Sequence, residues 1–562
     1  MSAPQRSAYV ANALPLYSHV MHKIGLAEFL TRMIGRKDSQ ATVDAGTIIC
    51  GLILNLLADA QVYLVNLSKF FSDKPMGILF PWRNGIEPDD FDQYRAGDVL
   101  DQFYEAGPQH IFCELGRRLI GIYDLCNDVI RFDTTSKSFQ GVFEGDDVAP
   151  LNITYGFSKD HRKDLKQLVF GLGVSLEGIP ILGEITDGNA SDKTINGNWI
   201  RDVKMWLGKK KEDFLLYVAD SAAVTSTNLK LFKEENIDFI SRLPHTFGLA
   251  DTLLDHAIQE KEGAWTEIGA ISVEKGAATY RSISYHEELE GEDHRFVVCH
   301  SSSKDKRKLK SLNRAVEKEK KEISKETGKF SEQEFFCERD AIEQTEKFVK
   351  TMRKATEFHV MSYVVEKVER DKKRSKRGRP PKDYVPEKET RYTVKLTIER
   401  DEGAFELAEK KCGMFVLVSS LDEEKEDDGT VLQQYKGQGA VERLFRLFKS
   451  PTLVASYNLQ SPTRIVAFGF VVLLAVLVYI LTEYAVRKAL EDKEVEPILD
   501  LRGKETRRPT AKTIGEILSS ILVVRRSGPD GDRLEPDIPL NENQRRVLEL
   551  QGFDSSIYTT AA

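Results

Sequence analysis

The chain has 562 residues, of which 41% are hydrophobic and 30% charged, with a net charge of −8. That length and composition exclude a fibrous or wholly disordered chain and allow several folded domains. An acidic total argues against a surface that is basic throughout, but the basic residues are segregated. Arg370–Lys382 (RDKKRSKRGRPPK) carries eight basic residues and one acid, and Asp422–Asp428 is a compact acidic run. The six cysteines are scattered with no C-x-x-C pair, which argues against a zinc ribbon or a disulfide framework and fits a reducing, cytoplasmic setting. No charged segment precedes an apolar core at the N-terminus, so no secretory leader is expected.

Residues 1–125 are expected to be helical. Apolar residues recur at helical spacing through Ile48–Leu56 and again through Val99–Leu119. A shift follows. Val129–Asp133, Gln167–Leu176 and Pro180–Ile185 read as strands, rich in β-branched and aromatic residues and bounded by Gly or Pro. Ser191–Leu207 reads as a helix capped by Ser191, Leu215–Asp220 as a buried strand, Thr225–Glu234 as a helix and Ile237–Leu243 as a strand. Strands in series and then alternating with helices predict a mixed α/β sheet over 126–250.

Between 251 and 410, strand-like pieces (Thr279–Tyr285, Arg295–His300, Glu357–Val365, Arg391–Ile398) surround a charged helical stretch, Lys304–Lys329. Its Lys and Glu alternate from Glu317 onward, so it reads as an exposed, salt-bridged helix, with a DNA groove as the alternative. This is expected to be an inserted β-rich domain. The α/β pattern resumes over 411–500, with a strand at Gly413–Ser419 and a helix from about Gln433 to Lys449. Ile465–Leu481 is an uncharged apolar run of 17 residues, at the short edge of what spans a bilayer. A helix buried in a large core is the expected reading, with a membrane-associated protein as the rival. Residues 501–562 read as a polar C-terminal tail containing one helix-like segment, Thr513–Val523.

Three carboxylates stand where a two-metal site would want them. Asp133 and Asp220 end predicted strands, and Glu442 lies on the helix after the resumed sheet. Divalent ions such as Mg²⁺ take hard oxygen ligands, and a pair of them can activate an attacking oxygen and stabilise the leaving one in phosphoryl displacement. On the Glu442 helix, Tyr435, Gln438, Glu442 and Lys449 follow steps of +3, +4 and +7, which project them on one face with Arg446. That face combines a metal-seeking carboxylate with donors and cations suited to phosphate oxygens. Gly437 and Gly439 weaken the helix, so its first turn is expected to be irregular.

In these residues the chain resembles bacterial insertion-sequence transposases with an RNase H-like catalytic core, in the branch marked by Tyr-(2)-Arg-(3)-Glu-(6)-Lys. Tyr435, Gln438, Glu442 and Lys449 keep all three spacings, with Gln438 replacing the Arg. Further similar stretches are RFDTTS at 131–136, YGFSKDHRKDLKQL at 155–168, VADSA at 218–222 with Asn228, FISRLP at 239–244, RIV at 464–466 and RRPT at 507–510. The resemblance implies an RNase H-like fold interrupted by a β insertion between the second Asp and the Glu. It implies two Mg²⁺ or Mn²⁺ ions on Asp133, Asp220 and Glu442. It also implies DNA cleavage at the element's ends, followed by strand transfer into target DNA. Tyr435, Gln438, Arg446 and Lys449 are the expected DNA contacts, the N-terminal helices an expected DNA-binding domain, and a homodimer, nucleoid-associated and cytoplasmic, the expected active form. The two-step course needs no nucleotide cofactor, and the chain contains no G-x-x-x-x-G-K-[ST] loop. Arg377 and Arg379, within KRGRPPK, resemble an AT-hook that lays Arg into the minor groove, or form a solvated linker. His161 has a phosphate or base contact and a structural hydrogen bond as its two readings, and Trp265 is expected to pack in a core, with stacking on an unpaired base as the alternative. The rival functions are a catalytically inactive regulator that binds element ends and a nuclease without strand transfer.

Overall fold

A computed structural model describes the chain apart from residues 1–7, 36–42, 59–63, 140–142, 144–150, 160–161, 273–275, 304, 373–384, 450–458, 460, 529–530 and 561–562. The chain divides into two compact units. One comprises Met1–Pro244, Glu288–His294 and Val418–Ala562; the other comprises His245–Glu287 and Arg295–Leu417 and overlaps the stretch read as an insertion.

In the first unit, five strands lie in the order Pro180–Thr186, Lys166–Val174, Val129–Phe139, Leu216–Ala219, Asp238–Arg242. Numbered along the chain this is 3-2-1-4-5. The first three pair antiparallel, and the last two add in parallel to Val129–Phe139. Parallel neighbours cannot be joined by a tight hairpin, and the helices Asp192–Leu207 and Ser226–Glu234 provide the two crossovers. Both start where local chemistry dictates: Ser191 Oγ accepts from Thr194 N–H at 3.2 Å, and Thr225 Oγ1 from Asn228 N–H at 3.1 Å. Ile195, Trp199, Ile200, Val203 and Leu207 recur at helical spacing and are buried. The Trp199 ring lies 4.2 Å from that of Phe132, centroid to centroid, and its indole N–H donates to Glu184 at 2.6 Å. A Cβ on Gly173 would fall 2.7 Å from that indole, so only glycine leaves the room it needs.

Helices Leu14–Lys23, Leu26–Ile34, Ala45–Leu57, Gln93–Glu105 and Pro108–Tyr123 lie in this unit, the last three covering the stretches whose apolar spacing is helical. The apolar run expected near 465–481 extends to a helix over Pro462–Ala489, and every residue from Ile465 to Val478 is buried. It is long and apolar enough to cross a membrane, yet protein surrounds it. A Cβ on its Gly469 would meet Ile185 and Phe170 of the sheet, while its Arg464 forms a bidentate pair with Asp101 of helix Gln93–Glu105, at 2.9 and 2.6 Å. A helix pressed by sheet on one side and helices on others needs no polar stripe.

The reading of 501–562 as a polar tail is corrected. Helices Ala511–Leu518 and Glu542–Leu550 and a hairpin, Leu522–Gly528 with Gly531–Pro536, are built there, and Ala8–Val10 pairs antiparallel with the hairpin's first strand. Tyr558 is fully buried and donates its hydroxyl to Asn12 O at 2.7 Å. The apolar anchors Ile514, Leu518, Val523, Val547 and Leu548 are separated by charges, which dilutes local hydrophobicity without weakening a tertiary contact.

The second unit holds the strand Thr266–Ala270, most of Thr279–Leu289 and of Glu292–Ser301, in sequence order, and a separate sheet in which the long hairpin His359–Asp371 and Lys388–Arg400 pairs over 13 residues. The helices Lys306–Ser331 and Glu338–Ala355 cover that hairpin, around a core of Phe330, Phe335, Ala341 and Val394.

Candidate active site

The expectation that Asp133 ends a strand is corrected: it lies within the strand Val129–Phe139, because Thr134–Phe139 stay paired with Lys166–Gly171, while the strand Leu216–Ala219 does end one residue before Asp220. The parallel register pairs Val129 with Leu216 and Arg131 with Val218; carried forward two residues it sets Asp133 beside Asp220. Adjacent strands lie about 5 Å apart, and residues at one register level point to the same face. Backbone groups fix both acids: Asp133 accepts from Thr134 N–H at 2.7 Å, and Asp220 caps a short 3₁₀ turn by accepting from Ala222 N–H at 3.0 Å.

The electrostatics follow from that pairing. Burial, opposed by Lys159 and the Thr134 N–H and reinforced by the charges of Asp220 and Asp192, leaves the Asp133 carboxyl pushed up to about 7. Burial likewise raises Asp220, against the Ala222 N–H and Lys159. Lys159 donates to the Thr134 carbonyl at 2.8 Å and to Thr134 Oγ1 at 2.6 Å, and pairs with Asp192 at 3.2 Å. Thr134 Oγ1 in turn donates to Asp192 at 2.6 Å. Lys159 and Asp192 therefore belong to the site, and reasoning from sequence missed both. The signals were present: Lys159 sits within 155–168, and Asp192 follows the Ser191 cap.

Glu442 is exposed on the helix Gly439–Phe448, whose Val441, Leu444, Phe445 and Phe448 are buried. The Phe448 ring lies 4.7 Å from that of Phe170 on the core strand Lys166–Val174. Tyr435 lies one element earlier, in helix Asp428–Lys436, and is half-buried. Burial raises its hydroxyl pKa, Arg242 opposes that, and Asp220, Glu442 and Asp133 each raise it further. One phenol thus feels all three acids. Among the described residues no three acidic, histidine or cysteine side chains converge tightly enough to enclose an ion as they stand. Asp133 and Asp220 pair, and Glu442 shares with them the surroundings of Tyr435. The donors are hard carboxylate oxygens, two of them held together against mutual repulsion, and that chemistry fits a divalent cation.

The expected single helix over 433–449 is two. Between them the backbone tightens to i→i−3 hydrogen bonds, Gln438 N–H to Tyr435 O, Ala440 N–H to Gly437 O and Val441 N–H to Gln438 O. Gly437 is there for space: a Cβ would fall 2.4 Å from the guanidinium carbon of Arg131. Arg131 is buried and donates to Leu176 O and to the side chain of Gln434. The expectation that Gln438 contacts phosphate is revised. Its side chain is buried and donates to the carbonyl of Phe132 at 3.2 Å, one residue before Asp133. Gln438 thus ties the base of the Glu442 helix to the Asp133 strand.

Arg446 is exposed one turn after Glu442, and Lys449 is half-buried at the helix end. Behind the helix, Arg443 and Arg487 converge on buried Glu483 at 3.1 and 2.7 Å, and Glu483 also accepts from Ala511 N–H at 3.0 Å. His161, Arg377 and Arg379 lie outside the described residues. Trp265, expected in a core, is half-buried with the Arg281 guanidinium 4.8 Å above its ring. Asn228 is buried and donates to Lys193 O at 3.2 Å, joining the two crossover helices.

Residues 8–116 match a family described as "Domain of unknown function (DUF4277)". No curated protein matches the chain. Among solved structures, the chain is similar to that of a piggyBac transposase synaptic complex with hairpin DNA, with a TM-score of 0.37 and 9% identity. The likeness covers 92% of this chain and 82% of that one. A TM-score this low is below what a shared fold requires, so function is read from the chain's own residues.

Proposed function

We propose that this chain is a DNA transposase of the Asp-Asp-Glu type, with an RNase H-like core built on these five strands and a β-rich insertion between Asp220 and Glu442. The observation that carries the reading is the register that sets Asp133 beside Asp220 on adjacent parallel strands, with the Glu442 helix tied to the same strand through Gln438. The strand order 3-2-1-4-5, with only the second strand antiparallel to the first, supports the core assignment.

Asp133, Asp220 and Glu442 would hold two divalent ions, Mg²⁺ or Mn²⁺, which when bound activate the attacking oxygen and stabilise the leaving one. Asp133 and Asp220 bind from a rigid sheet, and Glu442 closes the set from its helix. Lys159 compensates the acidic cluster, and Gln438 fixes the distance between helix and strand. Arg446 and Lys449 supply positive charge to phosphate oxygens beside Glu442. The reaction proposed is hydrolysis of a phosphodiester at an element end, followed by attack of the freed 3′-hydroxyl on a target phosphodiester. A plasmid carrying matched element ends, incubated with the protein and Mg²⁺ or Mn²⁺, is expected to show nicking and joined products. Nicking without joining reduces the reading to a nuclease, and DNA binding without nicking reduces it to a regulator.

Metal binding should depend on pH. An acid whose folded-state pKa is raised keeps its proton in the native chain up to about pH 7, while the unfolded chain has already lost it near 4. The native state is thus progressively penalised from pH 4 to 7, and the penalty is full above 7. A divalent cation competes with that proton. Saturating Mn²⁺ is therefore expected to raise the Tm more at pH 8 than at pH 6, by differential scanning fluorimetry. Equal shifts at the two pH values would remove Asp133 from the ligand set.

A further inference from the structure

The helix Lys306–Ser331 in the second unit buries one face, formed by Val316, Ile323, Thr327 and Phe330, and exposes the other. Lys306, Lys310, Asn313, Arg314, Glu317 and Lys321 line a shallow groove on the exposed side. At 100° per residue these six project within about 100° of one another, and the row is roughly 22 Å long at 1.5 Å per residue. The later part of the helix pairs its charges within itself, Lys318 with Glu322 and Lys329 with Glu326. Lys306, Lys310, Arg314 and Lys321 have no ion-pair partner among the described residues. Glu317 is the one acid in the row. The row concentrates four cations against one acid on a chain whose total charge is −8, so positive charge is gathered here rather than spread over the surface.

We infer that this row is a docking track for the phosphodiester backbone of duplex DNA. The inference rests on the transposase reading and extends it to a surface distinct from the three carboxylates. On each strand of a duplex the phosphates rise about 3.4 Å along the axis while winding around it, so a straight row of 22 Å meets roughly three or four of them where a strand crosses it. The side chains are cations and one amide on a regular helix, suited to a uniform linear polyanion and carrying little to read base edges. Contacts of that kind position DNA without selecting its sequence.

The test is fluorescence anisotropy of the full-length protein with an unrelated 30-base-pair duplex in EDTA, over a series of KCl concentrations. The variant replaces Lys306, Lys310, Arg314 and Lys321 together by Gln. All four are exposed, so circular dichroism and Tm should match the parent. Affinity at 100 mM KCl is expected to fall at least tenfold, and the slope of log Kd against log salt to drop by about 3.6, at about 0.9 for each of the four lost phosphate contacts. Replacing Lys306, Lys310 and Lys321 by Arg should preserve both. Unchanged affinity and slope in the Gln variant overturn the track while leaving the transposase reading intact. A parent protein that binds no duplex at all overturns both. Displacement of the duplex by polyglutamate at equal charge concentration overturns the assignment to nucleic acid and points to an acidic protein partner.

Discussion

Asp133→Asn, Asp220→Asn and Glu442→Gln are each expected to lower metal-dependent nicking of a plasmid with matched ends by about 10³-fold or more. A thousandfold loss corresponds to about 4 kcal/mol of transition-state stabilisation, the scale on which a metal acts on a phosphoryl oxygen. The three substitutions keep shape and remove charge, so the sheet and the Gln438 tie should survive. Their effects on stability should differ. Asp133 is held where its charge is disfavoured by burial and by Asp220, so Asp133→Asn should raise the metal-free Tm at pH 8 and change it little near pH 4. Glu442 is exposed, and Glu442→Gln should leave the Tm unchanged. The readout is nicked circle formed over time with each variant at equal DNA occupancy. A loss below tenfold at any of the three positions would take that residue out of the catalytic set.

Gly116→Ala is expected to destabilise the protein by about 3 kcal/mol, the upper end of what overpacking usually costs. Gly116 lies in helix Pro108–Tyr123, flanked by buried Leu115 and Leu119. A Cβ there would fall 1.9 Å from the carbonyl oxygen of Ile181 and 2.7 Å from its carbonyl carbon. The obstacle is backbone in the core strand Pro180–Thr186, which no rotamer change can move. The helix would have to lift from the sheet, opening the contacts of Phe112 and Leu115. Gly121→Ala in the same helix is the control: its Cβ would meet nothing within 4 Å, and the position is exposed. There the gain in helix propensity, up to about 1 kcal/mol, should appear unopposed. Urea unfolding of both variants separates the two effects. A Gly116→Ala chain as stable as its parent would mean that helix and strand do not approach this closely.

Much of the core could be read locally. The alternation of β-branched runs with capped amphipathic segments marked the five strands and two crossover helices, because Ser191 and Thr225 make their hydrogen bonds within three residues. The three acids were found from residue type, from the strand end before Asp220 and from the spacing around Glu442, although the Asp133 strand runs on past that residue to Phe139. What escaped was long-range. Gln438 was placed on a phosphate-facing helix because spacing fixes an angle about an axis; it cannot show that the carbonyl of Phe132, 306 residues away, would claim the amide. Lys159 and Asp192 reach the site through Thr134, with separations of 25 and 58 residues. The segment after 500 read as a tail because its apolar residues are diluted by charge, and its partner strand, Ala8–Val10, lies at the other end of the chain.

Local chemistry alone therefore determined where the five core strands and the two crossover helices lie, that Ser191 starts one of those helices, and that hard oxygen donors stand on or just after core strands. These depend on hydrogen bonds and periodicities spanning a few residues. Only the tertiary structure decided that Asp133 and Asp220 share one register level, that Arg131 demands a glycine at 437, and that the apolar helix is enclosed by protein. Each of those is set by packing between segments distant along the chain. Close packing admits one such arrangement, and no local pattern contains the distances that select it.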